Sequence, residues 1–218
     1  MIDLKEISRC VQSGKAPETA GLVNNALEEK YSVEEILKEG LTAGINAAEG
    51  LYLYKPSCAP KFLAAARALN RGLRTLEAAP ESENNNFAGT IIAGTVHKDF
   101  YDIEKNIMVT LMRCRGLQVV DLGVSVEAEK FIDAAVEEED ARLIVCTANL
   151  VGTMVNMKGL LTAAENAGIR SRVKILIAGK PVTERYCAAI GADYYARDIT
   201  AVAEIATAHC RRSLKPAA

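Results

Sequence analysis

The sequence predicts a two-part chain of the α/β class: a bundle of four antiparallel helices over residues 1–80, then a doubly wound parallel sheet of five strands over residues 89–218. Three observations predict it. Apolar residues recur at helical spacing from Leu4 to about Glu77, and no strand-like run interrupts them. Beyond residue 89 short apolar runs alternate with amphipathic stretches, the pattern of successive strand and helix units. The segment between, from Ala78 to Ala88, carries Pro80 and consecutive asparagines at 84 to 86, has neither period, and reads as a linker at 79–88.

In the first part Leu37, Leu41, Ile45 and Ala48 mark one helix face, and Phe62, Leu63, Ala66 and Leu69 another. Ser32 followed by Glu35 is a capping box: the hydroxyl accepts a free amide of the first turn and the carboxylate reaches back to the cap. Pro17 and Pro60 suit first turns, where a missing N–H costs nothing. Short connections between such helices predict antiparallel packing.

In the second part the predicted strands are Thr90–Val96, Gln118–Leu122, Arg142–Thr147, Val173–Ala178 and Asp193–Tyr195. The predicted helices are Asp102–Gly116, Ala128–Glu138, Met154–Gly168, Val182–Gly191 and Thr200–Arg212. Continuous apolar runs such as Leu143-Ile144-Val145-Cys146 and Ile175-Leu176-Ile177-Ala178 suit strands buried on both faces of a parallel sheet.

Composition excludes several classes. The 218 residues are 50% apolar and 25% charged with a net charge of −2, which offers no positive field for a phosphate backbone. No apolar run approaches the roughly 18 to 20 residues that span a bilayer, and the opening residues lack a basic region followed by an apolar one. A cytoplasmic protein with neither nucleic acid nor membrane as partner is expected. The six cysteines form no Cys-x-x-Cys pair, so they read as reduced structural thiols. Tryptophan is absent and aromatic residues make up only 5%, so a ligand site must be built largely from small residues and backbone.

Ligands of doubly wound sheets sit at the carboxyl ends of the strands. That rule selects the segments 94–106, 147–153 and 179–183, all rich in small or polar residues. The first is too long for a minimal turn and holds His97, one of two histidines in the chain. By itself it is equally an ordinary solvated loop. No Gly-x-Gly-x-x-Gly follows the first strand, there is no P-loop, and Asp99 and Asp102 lie too far into the loop for a phospho-acceptor receiver.

The three segments, in this order behind a helical bundle, resemble the corrinoid proteins of methyltransferase systems, relatives of the cobalamin module of methionine synthase. The family pattern Gly-Thr-Val, Asp-x-His-x-x-Gly, Lys-Asn falls on Gly94-Thr95-Val96, Asp99-Phe100-Tyr101-Asp102-Ile103-Glu104 and Lys105-Asn106. Val120-Asp121-Leu122-Gly123-Val124 is similar to the family's second strand and turn, with Glu129-Lys130-Phe131 in the helix after it. Ser-x-Leu falls on Thr147-Ala148-Asn149, and Gly-Gly before a proline on Ala178-Gly179, followed by Lys180-Pro181. The helix from Ala59-Pro60-Lys61 is similar to one in the family's helical cap.

The resemblance implies a helical cap and a Rossmann-like, flavodoxin-like cobalamin-binding domain. It implies a corrinoid cofactor contacted by Asp99, Phe100, Tyr101, Asp102, Glu104, Thr147, Asn149, Gly179 and Lys180. It further implies a methyl carrier, itself without catalytic residues, serving a substrate-specific methyltransferase and a second, methyl-accepting one; homo-oligomer formation stays open.

The departures from the family pattern bear on the cobalt. Tyr101 stands where the family's axial histidine ligates the metal, and a phenol with a pKa of about 10 must lose its proton or bind weakly. His97 is the alternative ligand if the loop shifts, with a surface role as the plain reading; His209, in the last helix, reads as structural. Glu104 brings a carboxylate to a glycine position that leaves room for the nucleotide tail, Ala178 adds a methyl group, and Asn149 replaces an apolar residue. Together they imply a remodelled groove. The alternative reading is a divergent relative that has lost methyl transfer and binds another tetrapyrrole, senses a corrinoid, or serves as a structural subunit.

Overall fold

In the computed structural model, which describes residues 2–79 and 89–213, helix α1 (Leu4–Gln12) starts where the Asp3 carboxylate accepts the Lys5 amide. Helix α2 (Ala16–Glu28) carries Pro17 in its first turn. The third rod opens at Ser32 with both halves of the expected capping box, the hydroxyl taking the Glu35 N–H and the Glu35 carboxylate taking the Ser32 N–H. It runs through α3 (Val33–Glu35), a π-helical stretch at Ile36–Thr42, and α4 (Ala43–Tyr54). The sequence gives no warning of the wider turns. Helix α5 (Ala59–Glu77) follows, with Pro60 in its first turn. These helices form the unit Met1–Glu81, separate from Ser82–Ala218.

Within the bundle α2 packs on α5, and α1 on the π-helical stretch and α4. Gly44 permits the second approach, because a Cβ there would stand 2.6 Å from the Ser8 carbonyl oxygen. Ile7, Val11, Ile36, Leu41, Ile45, Leu69 and Leu76 fill the interior. Tyr52 stacks on Phe62 with ring centroids 5.3 Å apart, and beside them Leu51, Leu53, Tyr54 and Leu63 remain exposed. Ala79 closes the last turn of α5; the other residues of the expected linker, 80–88, lie outside the described residues.

The second unit is a five-stranded sheet in the order β2-β1-β3-β4-β5 with every pairing parallel. Its strands are β1 (Thr90–Thr95), β2 (Gln118–Asp121), β3 (Ala141–Thr147), β4 (Lys174–Ala178) and β5 (Tyr194–Ala196). Every residue of β1 is buried, as its apolar run requires of a strand covered on both faces. The helices are α6 (Ile103–Cys114), α7 (Ala128–Glu137), α8 (Val151–Met154), α9 (Asn156–Asn166), α10 (Glu184–Ile190) and α11 (Ile199–Ser213).

Two boundaries differ from expectation. The helix predicted from Met154 is preceded by the separate turn α8, because the Thr153 hydroxyl reaches back to the Leu150 carbonyl at 2.9 Å and holds that turn. The helix predicted from Val182 begins two residues later, since Thr183 caps it by accepting the Tyr186 N–H.

Ile92, Ile144, Cys146, Ile175 and Ile177 share one core with Phe131 of α7 and Met157 and Leu160 of α9. Helices α6 and α11 pack on each other and on the remaining face. By strand alternation Thr95 and Thr147 therefore point to the α6–α11 side. This assignment positions the site.

Candidate functional site

The carboxyl ends of β1, β3 and β4 stop level with one another, Thr95 opposite Thr147 and Thr147 opposite Ala178. The segment after β1 continues over this edge: Val96 donates its N–H to the Thr147 carbonyl at 2.9 Å, and the Thr95 hydroxyl donates to the Asp99 carbonyl at 2.8 Å. Asp99 is fully buried. Its carboxylate accepts the N–H of Tyr101 at 3.1 Å and the N–H of Asn149, and the Thr153 hydroxyl at 3.1 Å shares its proton between Asp99 and Leu150. A buried carboxylate is tolerated because donors surround it. In return it locks the β1 and β3 loops together. Burial, with the Asp99 charge second, pushes the Cys146 thiol well up, so that thiol is inert.

Each residue singled out from the sequence has a definite place. Phe100 is 72% exposed above the edge. Tyr101 is half-buried, its carbonyl accepting the Asn149 side-chain amide at 3.3 Å and its ring carrying the Lys180 ammonium 5.2 Å from the centroid. Asp102 begins α6, accepting the Asn106 side-chain amide at 3.0 Å. Glu104, in the first turn of α6, lies 3.7 Å from the Lys180 ammonium. Thr147 is buried with its hydroxyl 3.5 Å from the Gly94 carbonyl. The Asn149 side-chain oxygen is buried and has no hydrogen-bond partner. Gly179 has φ +125°, and a Cβ there would stand 1.8 Å from the Ala148 carbonyl oxygen, so the chain's own backbone already demands glycine.

His97 belongs elsewhere. It lines a cavity of about 350 Å³ with Val126, Phe131, Asn156 and Leu160, on the α7–α9 side of the sheet. Its carbonyl is held by the Asn156 side chain at 2.8 Å, which fixes the backbone that a loop shift would have to move. Among the described residues no cluster of three or more His, Cys, Asp or Glu side chains can hold a metal ion. His209 pairs with the Tyr194 hydroxyl at 3.3 Å, a structural contact.

Sequence reasoning missed Thr153, the third partner of Asp99, and the exposed apolar side chains Leu150 and Val151 in the turn after β3. The available signal was Leu150-Val151 in a segment expected to be polar.

These features define a class: a helical bundle followed by a doubly wound parallel sheet whose loops at the carboxyl edge are tied together by a buried aspartate. Comparison with known proteins makes that specific. The B12 binding domain family matches residues 89–205 and again, through a second B12 binding domain, residues 3–77. Dimethylamine corrinoid protein 3 of Methanosarcina acetivorans is 34% identical over 195 residues, covering 89% of this chain and 91% of the relative. Trimethylamine corrinoid protein 1 of Methanosarcina mazei is 34% identical over 172 residues, 77% of this chain and 78% of that protein. The solved monomethylamine corrinoid protein of Methanosarcina barkeri has the same fold, with a TM-score of 0.77 at 24% identity over 92% of this chain and 95% of its own. The chain belongs to the B12-binding family.

The residues present fit most of a corrinoid. The exposed side chains of Phe100, Leu150 and Val151 suit the apolar face of a macrocycle, and the unpartnered Asn149 oxygen suits one of the amide N–H groups on a corrin's periphery. They offer no imidazole for the metal at this edge, since His97 lines the cavity on the α7–α9 side and His209 pairs with Tyr194.

Proposed function

We propose that this chain is a corrinoid-binding methyl carrier that works with methyltransferases. The observation that carries the reading is the match of both units to B12 binding domains; the exposed apolar side chains Phe100, Leu150 and Val151 support it from the structure. A corrinoid supplies the methyl-transfer chemistry through its cobalt. The protein's part is to bind and orient. Asp99 keeps the β1 and β3 loops in register, Phe100 and the Leu150-Val151 turn cover an apolar face, and the Asn149 oxygen accepts from a peripheral amide. Thr147 and Lys180 complete the polar contacts. A substrate-specific methyltransferase delivers the methyl group and a second, methyl-accepting one removes it. With the chemistry on the cofactor, the chain needs no catalytic side chain of its own.

A second reading draws on Tyr101 and Glu104: a corrinoid binder that senses or stores the cofactor without passing methyl groups. The two separate on a single protocol. Protein freed of cofactor is mixed with cobalamin, passed over a sizing column and scanned in the visible range. Equimolar coloured protein supports both readings, and colourless protein overturns both. Methyl transfer from the loaded protein to an accepting methyltransferase then decides between them.

A further inference from the structure

We infer that the cavity between α7 and α9 is a binding site in its own right, and that it takes a small organic ammonium ion with an apolar body. The site lies on the face of the sheet opposite α6 and α11. It goes beyond the corrinoid reading and does not depend on it. The cavity measures about 350 Å³, near the lower end of the roughly 300–1,000 Å³ usual for small-molecule sites. Phe131 of α7 and Leu160 of α9 give it apolar walls.

Three observations point to a ligand. Gly159, inside α9, lines the cavity, and no atom stands within 4 Å of where its Cβ would be. A glycine inside a helix is costly beside alanine, and here neither a close approach nor a left-handed φ requires it. Its effect is to leave the cavity open. Second, the Nδ1 of His97 is buried without a hydrogen-bond partner, whereas buried polar atoms are as a rule paired. Third, the segments that bring His97 and Glu127 to the cavity are held in unfavourable backbone. Lys98 has φ +65° and Ser125 φ +52°, and the Lys98 N–H donates to the Ser125 Oγ at 2.9 Å, tying the two segments together.

The polar groups around the cavity set the charge of its ligand. Asn156 commits its side-chain N–H to the His97 carbonyl at 2.8 Å, so what it has left for a ligand is an oxygen. Glu127 and Glu129 add two exposed carboxylates at the mouth. These outweigh the partial positive charge of about half a unit at the start of α7. A carboxylate ligand would meet like charges, and a ligand without donors would leave the acceptors unmet. A primary ammonium group brings both the positive charge and the N–H donors, while its apolar body packs on Phe131 and Leu160.

The test is NMR titration of the full, ¹⁵N-labelled chain with benzylammonium chloride and, separately, with benzyl alcohol and benzoate. His97 and His209 are the only histidines, so His209→Gln assigns their ring signals. Benzylammonium should give saturable shifts of the His97 ring and the Gly159 amide while His209 stays still, and the alcohol and benzoate should bind at least about tenfold more weakly. Gly159→Leu fills the open space and should melt no lower than the parent, while benzylammonium affinity falls by about tenfold or more. Glu127→Gln with Glu129→Gln, both exposed, should weaken benzylammonium by about tenfold and leave benzyl alcohol unchanged. Benzoate binding as tightly as benzylammonium overturns the charge assignment. Shifts that survive Gly159→Leu, or no saturable shift at tens of millimolar, overturn the site. If Gly159→Leu melts lower, the double glutamine variant decides alone, and an unchanged benzylammonium affinity there overturns the inference.

Discussion

The carboxylate of Asp99 and the hydroxyl of Thr153 meet at 3.1 Å where no solvent reaches Asp99, joining the loop after β1 to the turn after β3. This contact holds together the loops that carry Tyr101 and Asn149. Asp99→Ala strands the Tyr101 and Asn149 N–H groups and leaves the Thr153 hydroxyl only the Leu150 carbonyl, and should destabilise the protein by about 3–5 kcal/mol in urea unfolding. Thr153→Val removes a single donor and should cost about 1–2 kcal/mol. An Asp99→Ala protein within experimental error of the parent would show that the loops hold without it.

Asp193 makes stability depend on acid. Burial alone would raise its pKa, but the Ile175 N–H and the Arg170 and Lys174 side chains more than offset this, so the carboxyl sits below its usual range. Arg170 approaches to 2.7 Å and Lys174 to 3.1 Å. A folded pKa below the unfolded one means the contribution is complete above about pH 4 and disappears as the pH falls through the folded value. Thermal melts from neutral to strongly acid conditions should fall more steeply below about pH 4 for the parent than for Asp193→Asn. Parallel curves would refute the assignment.

The thiols should divide by burial. Desolvation raises the pKa of Cys146, Cys187 and Cys210, with the Asp99 charge adding to the first and Asp193 and Glu184 to the second. Cys10, Cys58 and Cys114 are partly exposed. Mass mapping after brief alkylation at mildly basic pH should find the label on the second group and little on the first until denaturant is added.

Gly179→Ala tests whether that glycine serves the backbone or the ligand. With φ at +125° and the Ala148 carbonyl oxygen 1.8 Å from the new methyl carbon, the substitution should lower the melting temperature of the ligand-free protein by several degrees, since a positive-φ clash costs about 2 kcal/mol or more. A loss seen only in corrinoid affinity would assign Gly179 to the ligand.

The exposed side chains of Phe100, Leu150 and Val151 should contribute to affinity without contributing to the fold. Phe100 is 72% exposed, so Phe100→Ser should leave thermal stability nearly unchanged. Covering that ring with a macrocycle is worth about 1–2 kcal/mol, which weakens cobalamin binding by about tenfold when it is lost. Titration followed in the visible range reads the change directly.

Helix and strand order were legible because periodicity reports burial. Leu37, Leu41 and Ile45 announce a buried helical stripe whatever they touch, and Ile175-Leu176-Ile177 announces a strand covered on both sides. The caps at Ser32 and the prolines at 17 and 60 were legible because their effects are confined to one turn. The π-helical stretch Ile36–Thr42 was not, since its seven residues carry an ordinary helical pattern and only hydrogen bonding distinguishes the wider turn. The loop segments 94–106 and 147–153 were legible as neighbours at the strand ends, because strand order in a parallel sheet brings the carboxyl ends of β1 and β3 together.

What those residues do to one another was decided only in three dimensions. Asp99 and Thr153 are 54 positions apart, and Lys180 meets Glu104 across a strand that belongs to neither. Sequence determines which side chains are available and which segments form local structure, because those depend on neighbours a few residues away. Contacts across the edge of a parallel sheet depend on strand order and register, which long-range packing selects, and so the partners of Tyr101 became visible only once the sheet was formed.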